Sequence, residues 1–118
     1  MPVTISNVQI DTGPPDAVPN FISTSHSSGE WSVINVVDFT WEAPGDNNGS
    51  GVDTYALDSG SGFQDVGNVL ATSTTLLPDG GPYNFDIVAI DLLSNASTRS
   101  SVTNIGIDST PPSDVTGL

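Results

Sequence analysis

The strongest constraint on this chain is that it repeats itself once. Ile10-Asp11-Thr12-Gly13-Pro14-Pro15 returns as Ile107-Asp108-Ser109-Thr110-Pro111-Pro112, from position 10 to position 107, an offset of 97 residues. The match extends on both sides: Ile5, Asn7 and Val8 answer Val102, Asn104 and Ile105, and Val18 answers Val115. A period of that length is the size of a whole domain, which marks one module of a head-to-tail array. The division that follows is residues 1–10 as the closing strand of a preceding repeat, 11–108 as the module, and 109–118 as the connector into the next. An alternative use exists for residues 4–11. The chain owns two copies of a segment that one domain needs once, and the spare can add to the edge of an identical subunit in a self-assembling filament.

Composition narrows the partners. Fourteen Asp and Glu stand against a single cation, Arg99, for a formal net charge of −13. Nucleic acid and anionic membrane surfaces are recognised through basic patches that this chain lacks. Cations are the natural counterpart. With no cysteine there are no disulfides, thiolate metal sites or cysteine nucleophiles. Only 13% of residues are charged, so Ser, Thr, Asn and Gly must fill the surface, a coat that suits a secreted protein. No apolar run approaches the roughly 20 residues that cross a bilayer. Met1-Pro2 opens no signal peptide, and the export signal is expected to lie outside this stretch.

Twelve glycines, nine prolines and many β-branched residues predict short strands between turns, an all-β chain. The clearest strand is 37–42: Val37, Phe39 and Trp41 fall on one face, Asp38, Thr40 and Glu42 on the other. A second, 83–90, alternates through Tyr83, Phe85, Ile87 and Ala89, while Val88 and Ile90 make its other face apolar and predict cover there. Further strands are expected at 17–24, 53–57 with Tyr55 and Leu57 inward, 63–70, 72–77 and 101–108. Seven strands in about 100 residues is the count of an immunoglobulin-like sandwich. Turns are predicted at 44–49, 59–62 and 78–82, where Gly, Pro, Asp and Asn cluster.

Trp41-Glu42-Ala43-Pro44, Asp46-Asn47-Asn48-Gly49-Ser50 and Leu77-Pro78-Asp79-Gly80-Gly81-Pro82-Tyr83 resemble, in order and spacing, the W-x-x-P, D-x-x-G-S and L-x-P-G-x-x-Y landmarks of fibronectin type III domains. Ser25-His26 before Trp31-Ser32, Leu57-Asp58, and Ile87 to Asp91 with Asn95 are similar to repeats of large bacterial surface and secreted proteins, which are joined by an I-D-T-T-P-P connector. The resemblance covers residues 11 to 112. It implies a seven-stranded fibronectin type III β-sandwich, extracellular, with no active site to carry over. Under it Trp41 is the core tryptophan, Leu77 a landmark of the same core, and Tyr83 the corner tyrosine whose hydroxyl bonds back to nearby backbone. The paired prolines at 14–15 and 111–112 restrict their own dihedrals and those before them, which makes a semi-rigid joint.

One loop has the residue types for metal chemistry. Asp46, Asn48 and Ser50 place oxygens at the first, third and fifth positions of a segment that opens like a calcium loop, and Asp53 follows. These four are the candidate Ca2+ ligands. The twelfth position, where a bidentate carboxylate closes such a loop, is Leu57, and the same residues also make an ordinary solvated turn. A weaker cation candidate lies at the module junction, where Asp11, Asp16, Asp108 and Asp114 flank the prolines near Asp79. His26 is the only histidine, which removes conventional triads, and an exposed loop position is expected for it. Trp31 and Phe63 are candidates for a sugar-stacking patch, the alternative being that they cover the edges of the sandwich. Asn48 and Asn95 each open a glycosylation sequon, as chance alone provides in a chain rich in Asn, Ser and Thr.

The expected function is therefore non-catalytic: a spacer and adhesive module of an extracellular repeat protein. Its partners would be neighbouring modules or identical subunits, with a cell-surface or glycan ligand as a further partner and Ca2+ as a stiffening ion. The alternatives are the strand-donating protomer and a carbohydrate-binding accessory of a secreted hydrolase.

Overall fold

The structure, a computed structural model, describes residues 13–46 and 49–109. Among them there are no helices and eight strands: β1 Ile22–Ser23, β2 Trp31–Ser32, β3 Asp38–Thr40, β4 Val52–Asp58, β5 Phe63–Gly67, β6 Ala71–Ser73, β7 Gly80–Asp91 and β8 Ser100–Ile107. They form two sheets. One has the order β1-β3-β6, the other β2-β8-β7-β4-β5. No helix of the described residues is long and apolar enough to cross a membrane.

The inward rows match the alternation in the sequence. Phe39 on β3, with Val37 and Trp41 just beyond its two ends, faces Tyr55, Leu57, Phe85, Ile87, Ala89, Ile105 and Ile107 from the large sheet, and all are buried. Aromatic rings join the layers: Phe39 meets Phe85 with centroids 4.9 Å apart, and Trp41 meets Tyr55 at 5.4 Å. Such pairs add about 0.5–1.5 kcal/mol each beyond the area they bury. The outer face of β7 is covered where the sequence becomes apolar, since Val88 is buried opposite an equally buried Ala56.

Each of the seven expected strands is present, most of them shorter than the periodicity suggests. β2 is an addition. Its two residues pair parallel to the end of β8, Trp31 with Gly106 and Ser32 with Ile107; every other pairing is antiparallel. A two-residue strand has too little sequence to show a period, so only the tertiary contact reveals it.

The chain comes in and goes out at opposite poles. At the incoming pole Pro15 is buried, Asp16 N–H donates to the Gly45 carbonyl, and Gly51 accepts from Leu92 at the end of β7. At the outgoing pole Gly80 opens β7 opposite Ile107. There Asp108 N–H donates to Ser32 at 2.8 Å, and Asp79 Oδ1 accepts from both the N–H and the hydroxyl of Ser109. Asp79 and Asp108 are thus engaged in holding the outgoing chain. Residues 1–12 and 110–118, with the proposed donor strand, the connector prolines at 111–112, Asp11 and Asp114, lie outside the described residues.

Candidate functional site

Asp46 folds its own loop. Its carbonyl accepts from Gly49 N–H at 2.6 Å and its Oδ2 from Gly51 N–H at 2.7 Å, a side-chain-closed turn of the kind Asp favours. Its Oδ1 is buried and has no hydrogen-bond partner among the described residues. Ser50 is half-buried beside it, whereas Asp53 is exposed in the irregular stretch where β4 shifts register against β7. Asn48 lies outside the described residues. No three His, Asp or Glu side chains among the described residues group closely enough to hold a metal.

Tyr83 Oη donates to the Pro78 carbonyl at 2.7 Å, tying Pro78 to β7, which starts at Gly80 with irregular register against β8, where the sequence predicts a turn over 78–82. Trp41 is buried between Phe21 and Tyr55, its Nε1 without a hydrogen-bond partner among the described residues. Leu77 packs partly buried against the core, and its N–H donates to Asn35.

His26 departs from expectation. It is 9% exposed, not an open loop residue. Nδ1 lies 2.6 Å from Ser25 Oγ and Nε2 lies 2.8 Å from the Ile34 carbonyl. A carbonyl only accepts, so Nε2 carries the proton and Nδ1 takes the serine's. Ser25 Oγ in turn accepts from Asp38 N–H at 2.8 Å. This Ser–His contact is a bracket between three backbone segments, because every polar atom of the pair is already used and backbone, not a carboxylate, orients the ring. The signal in the sequence was the hydroxyl-rich flank Ser23 to Ser28, which supplies the partners a buried imidazole needs.

Asp91 is the other polar group that sequence reasoning passed over. It is fully buried; Oδ1 accepts from the N–H groups of Leu93 and Asn95, and Oδ2 from the Asn95 amide. Ser97 is buried too, bonded to Ala89 N–H and the Thr98 carbonyl. The sequon Asn95-Ala96-Ser97 is therefore folded into the turn after β7, its amide and hydroxyl both occupied.

The two candidate sugar-stacking aromatics do not form one patch. Trp31 sits on β2 and Phe63 on β5, opposite edges of the five-stranded sheet, about 19 Å apart at normal strand spacing. Phe63 is capped by Arg99, whose guanidinium lies 5.1 Å from the ring centroid while also reaching Asp86 at 3.3 Å. Trp31 remains 69% exposed.

No protein-family model and no curated protein matches the sequence at a significant level. Solved structures do. Chitinase ChiA74 from Bacillus thuringiensis is 29% identical with a TM-score of 0.68, the match covering 87% of this chain and 15% of that one. This chain therefore spans only a small part of that chitinase's length. The fibronectin type III domain of human fibronectin type III domain containing protein 3 is 22% identical at a TM-score of 0.52, covering 87% and 96% of the two chains. The PKD domain of an M14-like peptidase from a Thermoplasmatales archaeon is 20% identical at 0.54, covering 81% and 98%. With two facing sheets, an aromatic core that joins them and a tyrosine bonded back to the Pro78 carbonyl, this chain has a fibronectin type III-like β-sandwich fold.

Proposed function

We propose that this module is a non-catalytic spacer of an extracellular, cell-surface repeat protein, holding its neighbours at a set distance and orientation. The observation that carries this reading is the opposition of the two poles, taken with the 97-residue offset between the duplicated connectors. The outgoing chain is anchored by Ser32 and Asp79 immediately before the paired prolines, which suits a stiff joint. Exposed apolar side chains at both poles support it as well. Val33, Ile34 and Leu76 lie at the outgoing pole, and Leu92 and Leu93 at the incoming one. A head-to-tail contact between consecutive modules needs two such unlike surfaces. Small-angle scattering of two copies joined at the natural offset tests the reading. The expected particle is an extended pair of nearly twice the single module's length; a folded-back pair overturns it.

Calcium belongs to the same proposal at one place, the 46–53 loop, where the buried Oδ1 of Asp46, without a hydrogen-bond partner among the described residues, is the lone-pair donor a cation would take. Thermal melts in calcium and in chelator decide this part. A midpoint raised by calcium supports it through preferential binding to the folded state. An unchanged midpoint removes the ion and leaves the spacer intact.

A further inference from the structure

Trp31 is a large aromatic held in the open, 69% exposed. Three backbone bonds and one from a side chain lace its segment to β8 and the outgoing chain: Ser28 Oγ to Thr103 O and Gly29 N to Asn104 O, both 2.7 Å, Gly106 N to Glu30 O at 3.2 Å, and Asp108 N to Ser32 O at 2.8 Å. Gly106 lets the indole settle against the strand, since a Cβ there would sit 2.8 Å from Trp31 Cε3 and 2.9 Å from Cδ2. Beside the ring runs a shallow groove of about 240 Å³, lined by Gly29, Glu30, Pro82, Asn104 and Gly106. That is below the roughly 300–1,000 Å³ of a pocket that engulfs its ligand. It suits a flat ring lying on the indole.

We propose that this groove binds a sugar ring of a neutral or N-acetylated polysaccharide. The apolar C–H face of a pyranose stacks on an indole, and its equatorial hydroxyls then point outward at the rim, where Glu30 accepts and the Asn104 amide both donates and accepts. Neither of these side chains makes a hydrogen bond among the described residues, so neither must break one to serve a ligand. Charge selects within the class. With a net charge of −13 and Glu30 at the groove, uronate and sulfated glycans are repelled. A quaternary ammonium wants several aromatic walls, and this groove has one. The site is independent of the spacer reading, because it needs only the fold of β2 on β8.

The test is a binding panel on the whole chain: insoluble chitin and cellulose by co-sedimentation, and soluble chito- and cello-oligosaccharides by calorimetry. Trp31 and the buried Trp41 are the two tryptophans, so a ligand-induced shift in fluorescence should be lost in Trp31→Ala. Expected are binding to at least one of these polymers, a fall of roughly tenfold or more in Trp31→Ala, a smaller fall in Glu30→Gln, and full retention in Phe63→Ala. Melting midpoints of the variants separate lost binding from lost folding, and Glu30→Gln, at an exposed position, remains informative if Trp31→Ala is unstable. Absence of binding across the panel overturns the proposal. So does binding that survives Trp31→Ala, and so does a groove that prefers tetramethylammonium or a polyuronate to the neutral sugars.

Discussion

Phe39 on β3 and Phe85 on β7 meet edge to face across the two sheets, ring centroids 4.9 Å apart and planes inclined by 60°. Both are buried, and Phe39 also stacks on Phe21 at 5.2 Å. Truncating either to alanine is expected to cost about 3–5 kcal/mol, a large share of the roughly 5–15 kcal/mol a domain has. Because the rings touch, the double variant should lose less than the two single losses added. Urea unfolding of the three variants measures it; strict additivity would contradict the contact.

Tyr83→Phe deletes a single hydrogen bond, that to the Pro78 carbonyl, and leaves the ring near Phe85. The expected loss is about 1 kcal/mol, a midpoint lower by roughly 4–8 °C. An unchanged calorimetric midpoint would show that the turn holds without its tyrosine.

His26→Ala leaves the Ile34 carbonyl without its donor and takes from the Ser25 hydroxyl its acceptor, with an expected cost of about 1–3 kcal/mol. Nitrogen NMR of the folded protein should show the proton on Nε2. A proton on Nδ1 would mean that Ser25 and the ring exchange roles.

Opposite pH limbs follow from two residues. The Thr54 hydroxyl and then Gly67 N–H donate to Asp65 and hold its carboxyl below the usual aspartate range. Its contribution is present above the ordinary value of 3.8 and is lost as pH falls through the lower folded value. Burial pushes the Tyr55 phenol above its ordinary 10.0, so its contribution is complete below that value and is lost as pH rises through the folded one. Thr54→Val should lower stability above the ordinary aspartate value and make its decline on the acid side shallower, and Tyr55→Phe should flatten the alkaline side. Midpoints measured across both limits check the two signs.

Gly106→Ala places a methyl group where the Trp31 indole rests. The ring must move, and the expected cost is about 1–3 kcal/mol, with the Trp31 emission altered and β2 loosened from β8. A variant with native stability and native emission would show that the indole does not lie there.

The sandwich was legible in the sequence because its signals are local and periodic. Val37, Phe39 and Trp41 alternate with polar neighbours, and a period of two has one physical cause, a strand with one dry face. Leu77 to Tyr83 and the turn residues around Gly45 and Gly60 likewise carry their geometry in their own types. The duplicated connectors at 10–15 and 107–112 were visible as text and need no fold to be seen. What the chain could not announce were contacts between segments far apart in sequence. Trp31 reaches Gly106, Ser25 beside His26 takes the Asp38 N–H, and Arg99 crosses onto Phe63. Each depends on which strands become neighbours, a global choice made by burying the common core. Trp31 and Phe63 were equal candidates on paper. Strand order put them at opposite edges, covered one with a cation and left the other open.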